Sequence, residues 1–119
     1  MKRGEIWLIN LDPTVGAEIK KTRPAIIVND DELGLLPLRV IVPLTDWKEK
    51  YDIASWMVKV ESNTTTNLTK VSAADCFQVR SVSKSRFTKK IGEIDHSTTK
   101  KVEKALADVL AIKPNLLDE

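Results

Sequence analysis

Arg23 is the residue around which chemistry in this chain is organised. It stands in Lys20-Lys21-Thr22-Arg23-Pro24-Ala25-Ile26-Ile27-Val28, where a basic polar stretch runs into an apolar, β-type run. Pro24 fixes its own φ and biases Arg23 towards extended backbone. The β-branched residues that follow favour a buried strand. The guanidinium thus sits where loop meets sheet, and its rigid fork of donors suits a phosphate at any working pH. Thr45 can add a hydroxyl to the same anion, and Glu18, five positions before Arg23, can supply a carboxylate. Trp47, inside a charged loop, offers a face for an unpaired base, whereas Trp7 and Trp56 read as core. His96 is the only histidine, which excludes a two-histidine acid–base pair within one chain, and it reads as a surface or capping residue. Cys76 is the only cysteine, so no intramolecular disulfide forms and a cysteine-based metal site is disfavoured. There is no glycine-rich phosphate loop, nucleophile elbow or zinc-helix motif. Taken alone, these residues make an arginine-centred anion site, which does not separate an enzyme from a binding module.

The elements that must hold this site follow from patterning. Glu5 to Leu11 is a first strand, apolar on both faces, stopped by Asp12-Pro13-Thr14. Val15 to Thr22 is a polar loop with Gly16 as its pivot, longer than a simple hairpin needs. Ala25 to Asn29 forms a second strand and Leu38 to Val42 a third, joined by the acidic turn 30–34, with Pro43 marking the third strand's end. If these two strands pair antiparallel, the start of one lies beside the end of the other. Arg23 and Thr45 then share a rim. Trp56 to Val60 is a fourth strand, 61–67 a polar turn, Leu68 to Val71 a possible short strand, and Phe77 to Val82 a further strand. Lys84 to Lys90 reads as a basic turn leading through Ile91-Gly92-Glu93-Ile94 to the one convincing helix. That helix is capped by Asp95 or Ser97, has an apolar face of Val102, Ala105, Leu106, Val109 and Leu110, and is closed by Pro114. The fold class is mainly β: a small antiparallel barrel or half-barrel with a C-terminal helix packed on it.

Length fits one domain, 1–119, able to bury a core without staples. The net charge of +2 does not by itself announce a nucleic-acid binder, so any basic surface must come from clusters such as Lys20-Lys21-Arg23. No signal peptide or membrane-length apolar run is visible, and the chain reads as cytoplasmic.

Three blocks resemble the MazF/PemK toxins of type II toxin–antitoxin pairs. They are Arg3-Gly4-Glu5-Ile6-Trp7, then Leu11 to Glu18, then Thr22 to Val28. Val40-Ile41-Val42-Pro43-Leu44-Thr45 matches the family's next strand, and 78–86 is similar to a later segment. The resemblance implies an SH3-like barrel, a homodimer with a groove across both subunits, and a cognate antitoxin partner, with operator DNA bound only through the antitoxin complex. It also implies cofactor- and metal-independent cleavage of single-stranded RNA, in which the substrate's 2′-OH attacks phosphorus to leave 2′,3′-cyclic phosphate and 5′-OH ends. Arg23 and Thr45 match the family's catalytic arginine and threonine, and Glu18 a loop carboxylate used by some members. Lys20, Lys21, Thr22, Trp47, Gln78, Arg80, Lys84 and Arg86 are the expected RNA-binding residues. Phe77 and Ser83 depart from the pattern, each standing where members carry a carboxylate. A gyrase-poisoning toxin of the same fold and a catalytically silent nucleic-acid-binding relative stay as alternatives.

Overall fold

The computed structural model describes residues 1–113. Its elements in chain order are β1 (Glu5–Asn10), β2 (Thr22–Ile27), β3 (Leu38–Asp46), β4 (Met57–Val60), β5 (Ser72–Asp75), β6 (Arg80–Ser83), β7 (Phe87–Glu93) and α1 (His96–Leu110). All pairings are antiparallel, in the order β4-β5-β3-β2-β1-β7, with β6 also on β3. Among the described residues β4 and β7 remain edges, so the barrel is not closed.

Two apolar clusters lie on the two faces of the sheet. One gathers Ile6, Ile26, Val42 and Leu44 with Val58, Val60 and the helix residues Val102 and Ala105. The other gathers Ile9, Leu11, Ala25, Ile27, Ile41 and Val82. Strand alternation explains the split along β2, where Ile26 faces one cluster and Ala25 and Ile27 the other. Asp95 is the helix cap, its carboxylate accepting the Thr98 N–H at 2.8 Å. That bond holds its carboxyl below the ordinary range. Val102 and Ala105 are buried and Leu106 and Val109 pack on the core as the spacing requires, but Leu110 is 57% exposed in the last turn. Pro114, expected to close the helix, lies outside the described residues; Ala111 in left-handed backbone ends it. Arg3 ties three parts together, donating to Val28 O and pairing with Glu103 at 2.6 Å.

The structure corrects several boundaries. β2 starts at Thr22, earlier than Ala25, and Pro24 is tolerated inside it because the β3 ladder reaches only to Ala25. β3 runs on through Pro43 to Asp46, since β5 and β6 follow one another along it. The segment 68–71 is not a strand. The strand is Ser72–Asp75, whose small residues carry no β-branched signal yet are all buried between β3 and β4. Cys76–Gln78 is a 3-10 turn capped by the Asp75 carboxylate, so β6 begins only at Arg80. The basic stretch after Arg86 is strand β7, an edge whose lysines stay in solvent. Trp56 is 41% exposed and meets the 68%-exposed Phe77 edge-on, so it is not core. Trp7 does pack on the second cluster, its Nε1 donating to Glu5 at 2.9 Å.

Candidate active site

The site begins where β2 and β3 separate. Their ladder runs from Ile27–Ile41 to Ala25–Pro43 and stops. Carried two residues further, the same register sets Arg23 opposite Thr45. Alternation gives Arg23 and Thr45 the face of Ala25 and Pro43 and gives Pro24 and Leu44 the other, so the cleft these four share opens at the edge where the strands part. Hairpin geometry in the sequence gives this rim, and Arg23 and Thr45 border this cleft of about 630 Å³ at the open mouth of the barrel. Arg23 is half-buried and its Nε donates to Lys20 O at 3.4 Å, which anchors the guanidinium to the loop.

This first cleft has an apolar floor from Leu8, Pro24 and Leu44 and a charged rim from Asp46, Lys70, Lys89 and Lys90. Lys70 pairs with Asp46 and Lys90 with Glu5, each at 3.2 Å. Burial would raise the Glu5 carboxyl. Donation from the Lys2 N–H and from Trp7, with the Lys90 and N-terminal ammoniums, outweighs it and lowers the pKa from 4.5 to about 2. One wall, Asn67 to Lys70, is held against β7: Glu93 N–H donates to Thr65 O at 3.1 Å, and Asn67 Nδ2 to Ile91 O at 3.0 Å. The lysines and this wall escape sequence reasoning, because their segments read as turns without a partner.

Glu18 lines a different cleft, of about 540 Å³, with Ile19, Pro43, Phe77, Gln78 and Arg80. Through Pro43 it starts one residue pair away from Thr45 on the same face. Glu18 is exposed, and its Oε1 accepts the Val15 N–H at 2.6 Å. Gln78 pins the loop that carries it: Oε1 accepts from Ile19 N at 2.6 Å and Nε2 donates to Ala17 O at 3.3 Å. Nε2 also donates to Asp75 at 3.2 Å. Burial raises the Asp75 carboxyl above its usual range, against bonds from Phe77 and Gln78. Arg80 donates to Leu11 O at 3.3 Å, and Arg86 to Asn10 O at 3.1 Å and to Asp12 O. Three of the expected RNA-binding side chains therefore hold the backbone around the 11–21 loop.

The remaining expected residues divide by place. Lys20, Lys21 and Thr22 are exposed beside Arg23, and Lys84 is exposed on a 3-10 turn away from both clefts. Trp47 reaches neither cleft. Its ring lies edge-on to Tyr51 and under Lys59 Nζ at 5.3 Å, in a separate groove beside α1. His96 is exposed at the start of α1. Cys76 is buried, and burial followed by the Asp75 charge pushes its thiol up to about 12.

Fold and site together define a small open β-barrel in which Arg23 and Thr45 border one cleft where two strands separate. The family model for the PemK-like, MazF-like toxin of type II toxin–antitoxin systems matches residues 2–110. Endoribonuclease MazF9 of Mycobacterium tuberculosis is 32% identical over 112 residues, covering 89% of this chain and 92% of that protein. Endoribonuclease PemK of Escherichia coli is 30% identical, covering 92% and 82%. Among solved structures, MazF from Deinococcus radiodurans superposes with a TM-score of 0.77 at 20% identity, covering 94% of this chain and 97% of that one. A mycobacterial endoribonuclease in complex with its cognate antitoxin gives 0.75 at 19%, covering 97% and 99%. The chain belongs to the PemK-like, MazF-like toxin family.

Proposed function

We propose that this toxin is a metal-independent endoribonuclease that cuts single-stranded RNA, with a preference for certain sequences, by in-line attack of the substrate's own 2′-OH. The 2′ oxygen bonds to phosphorus, the P–O5′ bond breaks, and the products carry a 2′,3′-cyclic phosphate and a 5′-OH. Relatives named as endoribonucleases support the enzyme class. The observation that supports this mechanism best is that Arg23 and Thr45 border one cleft where β2 and β3 separate. The nucleophile belongs to RNA, so the protein has only to position the phosphate, hold the charge gathering on its oxygens and move two protons. Arg23 clamps the pentacovalent phosphorus centre through its donor fork, and the Thr45 hydroxyl donates to one of its oxygens. Glu18 is the group assigned to accept or orient the 2′-OH proton, and a second proton, from solvent, reaches O5′ on the opposite side of phosphorus as the leaving group departs.

Lys20, Lys21 and Thr22 flank Arg23 as contacts to the RNA strand, whereas Gln78, Arg80 and Arg86 serve by shaping the loop that carries Glu18. The toxin acts in the cytoplasm as a homodimer and is neutralised by a cognate antitoxin whose acidic segment covers the cationic clefts; operator DNA is bound only through that complex. A relative solved with its antitoxin supports the partner class. Among the described residues no helix is long and apolar enough to cross a membrane. The test is incubation of purified protein with single-stranded RNA in excess chelator. Thr45→Val keeps the shape and removes the hydroxyl, so cleavage falls about 100-fold, the scale for one lost transition-state donor. RNA binding without cleavage by the wild type would favour the silent relative. Inhibition of gyrase without RNA cleavage would favour the gyrase-poisoning toxin.

A further inference from the structure

We propose that the barrel-mouth cleft is a subsite for the RNA backbone, in which Lys89 takes the phosphate of a nucleotide flanking the scissile bond. The proposal rests on the RNA-cleaving reading above. It starts from an irregularity in β7. Against β1, Ile6 pairs with Gly92 and Trp7 with Lys90, which leaves Ile91 unmatched; Leu8 pairs with Lys89 and Ile9 with Phe87, which leaves Thr88 unmatched. Each extra residue is a bulge, and bulges break side-chain alternation and re-aim what they carry. Between the two bulges the register is regular: Lys90 stands opposite Trp7, on the face where its ammonium meets Glu5, and Lys89 stands opposite Leu8, on the face of the cleft floor. The extra residue Ile91 lines the same cleft as Lys89. Thr88 fastens the second bulge, its hydroxyl donating to Leu8 O at 3.0 Å.

The rim cations are not equivalent. Lys90 is matched by Glu5 and Lys70 by Asp46. Lys89 makes no ion pair among the described residues. An exposed lysine on an edge strand ordinarily guards against strand pairing. That role needs no cleft, and Lys89 lines one. The cleft is also shared with Arg23 and Thr45. The partly accessible aliphatic surface of Leu8 and Pro24, backed by the buried Leu44, lies below an unmatched ammonium and suits a nucleotide, whose base covers the floor while its phosphate meets the rim. The volume of about 630 Å³ lies in the range of ligand sites.

The experiment is steady-state cleavage of a single-stranded oligoribonucleotide by wild type, Lys89→Ala and Lys89→Arg, with Lys101→Ala on α1 as the charge control. Lys89→Ala raises KM about tenfold at low salt and flattens the slope of log KM against log salt by about 0.7, the value for one lost phosphate contact on a single strand. Lys89→Arg restores most of the loss. A neutral methylphosphonate walked along the non-scissile positions finds one position at which wild type and Lys89→Ala become equal. The proposal falls if Lys89→Ala matches Lys101→Ala in KM and salt slope, or if no single position removes the difference. Failure of the underlying reading is distinct: Arg23→Ala would then cut RNA as fast as wild type.

Discussion

Gly92→Ala tests how the cleft wall is held. Gly92 lies in β7 with ordinary backbone, so an alanine there suffers no conformational penalty of its own. The cost is steric. A Cβ on Gly92 would stand 2.5 Å from Thr65 O and 2.6 Å from Thr66 C, and closer still to Thr66 O. All three are backbone atoms, which cannot rotate away as a side-chain end can. The 61–70 segment must therefore lift from β7, loosening the Glu93–Thr65 and Asn67–Ile91 hydrogen bonds. Overpacking costs about 1–3 kcal/mol, and each weakened bond adds about 1 kcal/mol. A total of about 3 kcal/mol lowers the melting temperature by roughly 10 °C for a domain of this size. Urea and thermal denaturation followed by circular dichroism measure it, and the segment's release appears as faster amide exchange at Glu93. A variant within about 0.5 kcal/mol of wild type, the usual range for an inert surface change, would refute the reasoning.

Glu5 is held at about 2 against an ordinary 4.5. Its folded pKa is the lower one, so its contribution to stability is complete above about pH 4.5 and is lost as pH falls towards 2. Glu5→Gln should flatten stability against pH in that window, measured by urea titration at several pH values. The Cys76 thiol, buried and pushed up to about 12, should resist alkylation at pH 8 in native protein and react fully in denaturant. Gln78→Ala removes two anchors of the 11–21 loop. The Ile19 amide should then exchange at least tenfold faster by NMR, and cleavage should fall with it if loop position matters to the reaction.

The legible part of the fold is the part built from strong local signals. The apolar run after Pro24, the β2–β3 hairpin and the 3.6-residue period of α1 all lie in the sequence. From the hairpin alone, Arg23 and Thr45 share a rim. What escaped depends on partners distant in sequence. Ser72–Asp75 is a strand because β3 and β4 enclose it, not because Ser-Ala-Ala-Asp favours one. Phe87–Glu93 is a strand because β1 offers an edge, despite two lysines and a glycine. For the same reason Lys70 and Lys89 could not be placed at the cleft before β7 and the 61–70 segment had positions. Gln78, Arg80 and Arg86 read as free cations and donors, since the loop N–H and carbonyl groups that engage them lie 59 to 76 positions away. Trp56 and Phe77 reverse the usual expectation for large aromatics: they meet each other edge-on at the surface, where Phe77 also lines the Glu18 cleft.

The central claim is that Arg23 stabilises a phosphorus centre attacked by the RNA's own 2′-OH. Its most direct measurement is the end chemistry and rate of RNA cut in excess chelator by wild type and by Arg23→Ala, with folding of both verified by circular dichroism. The account requires 2′,3′-cyclic phosphate and 5′-OH ends from wild type, and a loss of at least about 100-fold in the variant with its fold intact. Undiminished cleavage by Arg23→Ala, or products bearing 5′-phosphate, would contradict it.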